Sequence, residues 1–320
     1  MNESSRPALI AVDWGTSSLR AYLFDDRAVL LDRRTRPWGI QHLPEGGYAA
    51  AFRGIVGDWL ANSPALPVIA AGMVGSRQGW HEVPYVACPA DPATLAAGLV
   101  AFESQCGLLH LVPGISQGHP HPDVMRGEET QIVGALSVSA DLEGESLCVL
   151  PGTHSKWAMV RDGRVTRFTT YLTGELFALL RDHSILGRPA RDAGGTIHAG
   201  STDAFVRGVD TARASGAEGI AGRLFTVRSL FLSGLLPAEH TLDYLSGLLV
   251  GEEIRSAGTA LGSLDCPLVL LGDAALCDRY RVALAHFGVD HVRSLDDTGP
   301  AGLWRIAAAA GLVEPAKPAA

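Results

Sequence analysis

Two short segments carry residue types that bind anions. Gly15-Thr16-Ser17-Ser18 follows the apolar run Leu9-Ile10-Ala11-Val12 and the acid Asp13, and Gly152-Thr153-His154-Ser155 follows Leu147-Cys148-Val149-Leu150. Without a gap, Gly, Thr, Ser, Ala and Asp recur at one offset, 152 − 15 = 137. Each segment reads as strand, tight glycine turn, strand. Such a turn presents backbone N–H groups and small hydroxyls to a phosphate. The pair therefore suggests a clamp on a nucleotide and a two-domain phosphoryl-transfer enzyme. Thr16, Ser17 and Ser18 can donate hydroxyls to phosphate or satisfy their own turn. Asp13 ends a buried strand, a good place for a water-bridged Mg2+ contact. The second turn has no such acid, because Pro151 precedes Gly152. It carries His154 and Lys156 instead, which make it the more cationic of the two. Lys156 could act as a point charge on phosphate or face outward from its strand; His154 could donate to a phosphate or serve only the turn.

The elements that must position these residues follow from periodicity. Leu9–Phe24 reads as a hairpin around Gly15, with a third strand expected over Arg27–Arg33. Helical spacing over Gly46–Ala61 puts Tyr48, Phe52, Ile55, Val56 and Trp59 toward one face. Pro67–Ala71 reads as a short buried strand, Pro92–Gln105 as a helix and Leu108–Val112 as a strand, so the first half is mixed α/β. A helix over Arg126–Leu136 has Glu128 and Glu129 in its first turn, which favours the helix dipole. After the polar stretch Asp141–Glu145, the second hairpin opens a second half. Helices are expected there over Thr173–Leu186, Asp203–Ala214, Ala238–Ala257 and Ala274–Phe287, with strands over Pro267–Leu271 and Val289–Arg293. Arg188–Gly200 reads as a loop. The domains are placed at 1–140 and 141–300, with a helix over Gly302–Ala310 crossing back and a frayed tail within 301–320.

Composition bounds the function. The 320 residues are 47% hydrophobic and 19% charged, with a net charge of −8. That suits two packed domains and not a disordered chain. No Lys/Arg run could track a phosphate backbone, so nucleic acid is not expected as a partner. No apolar stretch reaches the ~18 residues of a membrane span, and no apolar leader opens the chain. The five cysteines, Cys88, Cys106, Cys148, Cys266 and Cys277, form no CxxC pair. A scattered, odd set suits reduced thiols in a cytoplasmic protein.

The order of first hairpin, connecting helix, second hairpin, strand–Gly272-Asp273–helix and final helix resembles the sugar kinase/Hsp70/actin superfamily. This resemblance covers nearly the whole chain. A narrower one lies in Val-Asp-Trp-Gly-Thr-Ser-Ser-Leu-Arg (12–20), Gly-Met-Val-Gly-Ser-Arg-Gln-Gly-Trp (72–80) and Arg-Gly-Glu-Glu-Thr-Gln (126–131). It continues in Leu-Pro-Gly-Thr-His-Ser-Lys-Trp (150–157) and Leu-Thr-Gly-Glu-Leu-Phe (172–177). Together these strings resemble the 2-dehydro-3-deoxygalactonokinase family. The resemblance implies an α/β, two-domain actin-like ATPase (ribonuclease H-like) fold with mixed sheets and the nucleotide in the interdomain cleft. It implies ATP as co-substrate with Mg2+, and phosphorylation of 2-dehydro-3-deoxy-D-galactonate at its 6-hydroxyl in D-galactonate breakdown. The partners are then a small sugar acid and ATP, with a homodimer as a candidate assembly. Related sugar kinases place an acid at the start of the first connecting helix, which Glu128 or Glu129 matches; alignment from Gly127 favours Glu128 and alignment from Gln131 favours Glu129. Gly272 and Asp273 resemble the adenosine turn. Gly247 and Gly251-Glu252-Glu253 lie on a helix that could wall the adenine pocket, though for the glycines close helix packing is the simpler account. A carboxylate substrate calls for an Arg. Arg77 comes first, with Trp80 and Tyr85 to line a sugar pocket, and Arg126 second.

Overall fold

A computed structural model describes residues 6–194 and 201–314. The first half runs β1 (Pro7–Trp14), β2 (Leu19–Asp25), β3 (Leu30–Arg36), α1 (Gly47–Asn62), β4 (Val68–Gly72), β5 (Val86–Ala87), α2 (Pro92–Ala97), β6 (Val100–Ser104), β7 (Gly107–Leu111), β8 (Ile115–Gln117), β9 (Asp123–Met125) and α3 (Glu128–Val138). The second half runs β10 (Glu145–Leu150), β11 (Ser155–Arg161), β12 (Arg164–Tyr171), α4 (Thr173–His183), α5 (Arg188–Asp192), α6 (Thr202–Arg213), α7 (Thr226–Leu232), α8 (Thr241–Leu261), β13 (Leu268–Leu271), α9 (Ala274–His286), β14 (Val292–Leu295) and α10 (Gly299–Ala309).

The repeat seen in the sequence is a repeat of sheet order. One sheet runs β3-β2-β1-β4-β7-β6 and another β12-β11-β10-β13-β14. In each, the strand before the glycine turn lies inside, its two successors lie to one side, and a strand reached by a long crossover lies on the other. The crossover strands β4 and β13 pair in parallel with β1 and β10. Such pairing needs covered faces, and Leu9–Val12 and all of β4 are buried accordingly. A small sheet, β5-β8-β9, was not legible in the sequence. The chain folds as two compact units. One takes the chain up to Glu145, Met159–Phe168 and the chain from Asp297; the other takes Ser146–Ala158 and Thr169–Asp296.

In the first unit, α1 buries Phe52, Ile55, Val56 and Trp59 as its periodicity predicts. The helix expected over Pro92–Gln105 is a departure. It stops after Ala97, where Gly98 caps it by donating its N–H to Thr94 O and Leu95 O; the fit is close, since a Cβ there would sit 2.7 Å from Val86 Cγ1. The segment Val100–Ser104 then alternates between more and less exposed residues and pairs antiparallel with β7. A period of two outweighed the helical reading. The third strand lies later than expected, because Asp25 accepts the N–H groups of Arg27 and Val29 and extends the turn to Val29. Helix α3 meets α10 backbone to backbone. A Cβ on Gly134 would lie 1.8 Å from Thr298 O and one on Gly302 1.8 Å from Thr130 O, so only glycine fits at either place. This crossing sets the direction in which the first turn of α3 points.

In the second unit, α6 and α8 cross in the same manner. A Cβ on Gly247 would lie 2.0 Å from Phe205 O, and Gly251 packs on Ala212 and Val209. Helix packing is therefore what these two glycines serve. Helix α8 begins at Thr241, after a 3-10 turn over Ala238–His240, and continues past the expected end to Leu261. The strand β12 and helix α7 were not expected. The Arg188–Gly200 loop contains α5, while its residues 195–200, like 315–320 of the tail, fall outside the described chain.

Candidate active site

In the first unit, the Gly15 turn is held by backbone bonds. Gly15 N–H donates to Ser18 O at 2.9 Å, Ile40 N–H to Gly15 O at 3.0 Å and Gln41 N–H to Thr16 O at 3.2 Å. Trp14, fully buried, donates its indole N–H to Trp38 O at 2.8 Å and locks the same loop. The carbonyls are thus used by the loop, while Thr16 and Ser17 are exposed and Gly15 and Ser18 half-buried. Asp13 pairs with Arg20 at 3.2 Å. Burial raises the Asp13 carboxyl, and the Arg20 charge and hydrogen bond oppose this. Among the described residues no group of three or more His, Cys, Asp or Glu could hold a metal ion. A single carboxylate does fit Mg2+ in the mode where phosphates and water supply the remaining ligands.

A second cluster lies where the Gly72 turn meets α3. Gly72 has φ +93, and a Cβ on it would press on Trp14 O at 2.7 Å and stand 3.5 Å from Asp13 Oδ1; one on Gly127 would stand 3.4 Å from Gly72 Cα. The residue before α3 therefore sits against the end of β4, which in turn stands against the end of β1. The two acids there are not equivalent. Glu128 is half-buried, and its Oε2 accepts Arg126 N–H at 3.0 Å. Glu129 is fully buried, and its Oε2 accepts Gly127 N–H at 2.7 Å while Oε1 has no partner. Burial first, and the Glu128 charge second, push the Glu129 carboxyl up to about 8.

Arg126 stacks on the Tyr85 ring at 4.3 Å and donates Nη2–H to Val83 O at 2.7 Å. Its Nε and Nη1, like Ser76 Oγ, are buried without a partner. Unpaired buried donors are costly and call for a ligand or water. Arg77 is exposed. Trp80 stacks on Tyr48 at 5.9 Å and meets Trp14, Phe52 and Phe102 edge-on or tilted, so its ring serves the core. Tyr85 is 42% exposed.

In the second unit, a cavity of about 510 Å³ opens beside the Gly152 turn. Gly152, Thr153 and Asp273 line it, together with the apolar Phe177, Leu249 and Leu276. Asp273 also caps α9, accepting Leu276 N–H at 2.9 Å. Gly272, with φ +138, stands near Pro151 O. The turn is braced by α4: a Cβ on Gly174 would lie 2.5 Å from Gly152 O, and Glu175 N–H donates to Thr153 O at 3.0 Å. His154 pairs with Glu175 at 2.5 Å. Lys156 is buried, not outward-facing. Sequence reasoning missed Asp243 and Arg279 here, and it placed Glu253 only on a helix that could wall the adenine pocket. Asp243 and Arg279 form a 3.0 Å ion pair on the cavity wall. Glu253, 1% exposed, accepts from Trp157 Nε1 and Tyr280 OH, each at 2.7 Å, and from Thr173 Oγ1. No short-range pattern marks them, since their partners lie 27 or more residues away.

Two sheets of one strand order, each with a glycine turn after its inner strand, define an actin-like ATPase fold. Residues 13–306 match the family described as 2-keto-3-deoxy-galactonokinase. The chain is 40% identical over 294 residues to a Rhizobium meliloti protein named a probable 2-dehydro-3-deoxygalactonokinase, covering 89% of this chain and 91% of that one. It is 34% identical over 300 residues to the 2-dehydro-3-deoxygalactonokinase of Escherichia coli, covering 93% and 97%. A solved structure of a 2-dehydro-3-deoxygalactonokinase-family protein from Sinorhizobium meliloti superposes with a TM-score of 0.83 at 38% identity, covering 94% and 98%. The chain belongs to the 2-keto-3-deoxy-galactonokinase family of carbohydrate kinases.

Proposed function

We propose that this protein transfers the γ-phosphoryl group of ATP to the 6-hydroxyl of 2-dehydro-3-deoxy-D-galactonate, giving 2-dehydro-3-deoxy-6-phosphogalactonate and ADP. The observation that carries the reading is family membership across residues 13–306. The chemistry asks for a base near a primary hydroxyl, donors on the phosphates and an anchor for the substrate carboxylate. Glu128 is the base: it is half-buried and so within reach of a substrate, whereas Glu129 is enclosed and held neutral up to about pH 8. A neutral carboxyl cannot accept a proton. Glu129 instead fixes the Gly127 N–H and with it the α3 entry.

Arg126 anchors the substrate carboxylate in preference to Arg77. Its position is set by Tyr85 and Val83, and two of its nitrogens lack partners. Gly15, Thr16, Ser17 and Ser18 contact phosphate on the first unit, and Gly152 and Thr153 on the second, where Asp273 and the cavity take the nucleoside. Mg2+, bound through Asp13 and water, supplies charge neutralisation on the phosphates. The proposed domain division is 1–140 and 141–300 with the returning 301–320 segment, within which Met159–Phe168 and the chain from Asp297 group with the first unit; the protein acts on small molecules in the cytoplasm. An ADP-release assay over sugars, aldonates and 2-keto-3-deoxy acids tests the reaction. Turnover confined to a keto-deoxy acid is expected, and no turnover of any such acid would sink the proposal.

A further inference from the structure

The string Leu172-Thr173-Gly174-Glu175 has no catalytic role above, yet it touches the Gly152 turn at three points. Gly174 packs on Gly152 O, Glu175 N–H bonds Thr153 O, and the Glu175 carboxylate holds His154. Thr173 reaches the other way, to Glu253. The opposite side of the turn reaches the same carboxylate through a relay. Gly152 N–H points to Ser155 Oγ at 3.4 Å, Ser155 Oγ lies 2.9 Å from Tyr280 OH, and Tyr280 OH donates to Glu253 at 2.7 Å. Thr173 and Tyr280 both donate to Glu253 Oε2, which leaves the Tyr280 oxygen to accept from Ser155; burial raises the Glu253 carboxyl, and these donors oppose the rise. Trp157 Nε1 satisfies the other oxygen. Glu253 thereby ties α8 to β11, to the first turn of α4 and to α9. Thr173 and Tyr280 line the cavity; Glu253 and Trp157 do not.

We propose that Glu253 is a positioning residue for the nucleotide, setting the Gly152 turn and the Thr173–Tyr280 wall without touching the ligand. The inference rests on the cavity being the nucleotide site. A buried network of this kind is effective only when every member is satisfied, so removing the shared acceptor frees the turn and the wall together.

The test is calorimetric titration of the full-length protein with ADP alone, alongside KM for ATP and for the sugar acid. Glu253→Leu orphans three donors at similar volume and should weaken ADP roughly tenfold, with KM for the sugar acid unchanged. Glu253→Gln should stay within about threefold of wild type, because its carbonyl can accept from Trp157 while the two hydroxyls reverse. A merely structural role would lower the melting temperature but leave the folded fraction's affinity alone. ADP affinity for Glu253→Leu within twofold of wild type, or equal losses for ATP and sugar acid, would overturn the proposal. If wild type itself binds no ADP, the reading of the cavity fails and the proposal with it. Should Glu253→Leu not fold, Trp157→Phe removes one donor away from the cavity. It should weaken ADP by about threefold, and unchanged affinity would count as refutation.

Discussion

Glu129→Gln should make the protein more stable at pH 8.5 than wild type, and the advantage should vanish by pH 4. The Glu129 carboxyl is fully enclosed, has one unpartnered oxygen and rises from an ordinary 4.5 to about 8 in the folded chain. Between those two values the folded state holds a proton that the unfolded state has lost. Stability therefore falls as pH rises from about 4.5 to about 8, and is level above that. This is the reverse of the usual carboxylate behaviour. At ~1.4 kcal/mol per unit of pKa the ceiling is about 5 kcal/mol. Relaxation and water entry around the charged form reduce such penalties to a few kcal/mol, so about 2–3 kcal/mol is the expected loss. Glutamine keeps an acceptor for Gly127 N–H and never ionises, so its stability curve should lack this slope. Urea unfolding followed by tryptophan fluorescence at pH 4, 5.5, 7 and 8.5 measures the difference between the two proteins. Parallel curves across that range would refute the burial argument.

Three further outcomes follow from the geometry. Glu128→Gln should lower kcat by about 10²–10⁴-fold with KM nearly unchanged, while Glu129→Gln at pH 7 stays within roughly tenfold of wild type. A wild-type kcat that climbs to a plateau only above pH 8 would reverse the two roles. Arg126→Ala should raise KM for the sugar acid by about 10²-fold and leave KM for ATP alone; a matching effect from Arg77→Ala in its place would move the carboxylate anchor. Gly174→Ala inserts a methyl 2.5 Å from Gly152 O. A strain of ~1–3 kcal/mol should appear as weaker ADP binding in a titration, and unaltered binding would mean that the turn yields freely.

The parts of the fold that were legible have local causes. The glycine turns, the apolar strands beside them and the one-sided α1 are written in contiguous residues. The sheet order is not, because β4 and β13 reach their places beside β1 and β10 through long crossovers. Pro92–Gln105 misled because Ala and Leu favour a helix, whereas Gly98 is trapped by Val86 and Pro113 from elsewhere in the chain. The same holds at the site. Glu128 and Glu129 could be named from their helix position, but not told apart, since burial is decided by packing against other elements. Trp80 looked like a pocket wall because a Gly-rich loop carries it; four aromatic partners from three other elements draw it into the core. Lys156 is open in the sequence between a phosphate contact and an outward strand position, and only packing decides that it is enclosed, because β11 is buried on both faces from Ser155 to Val160.

The two glycine turns are alike in sequence and unlike in support. Backbone N–H groups of Ile40 and Gln41 and the Trp14 indole hold the first, so its hydrogen bonds ask nothing of the side chains at 40 and 41, although Ile40 packs on the core. Gly174, Glu175 and the Glu253 relay hold the second, and here side-chain identity matters at each step. Similarity between the halves therefore ends a few residues past each turn, although both sheets keep one order. Backbone-held turns tolerate substitution in their supporting loop, while side-chain-held turns do not. Substitutions that disturb phosphate contacts without touching a ligand should thus concentrate behind the second turn, on α4, α8 and α9, more than in the 38–41 loop, where the exceptions are the core-packed Trp38 and Ile40 and Gly39, whose Cβ would lie 2.2 Å from Thr16 O.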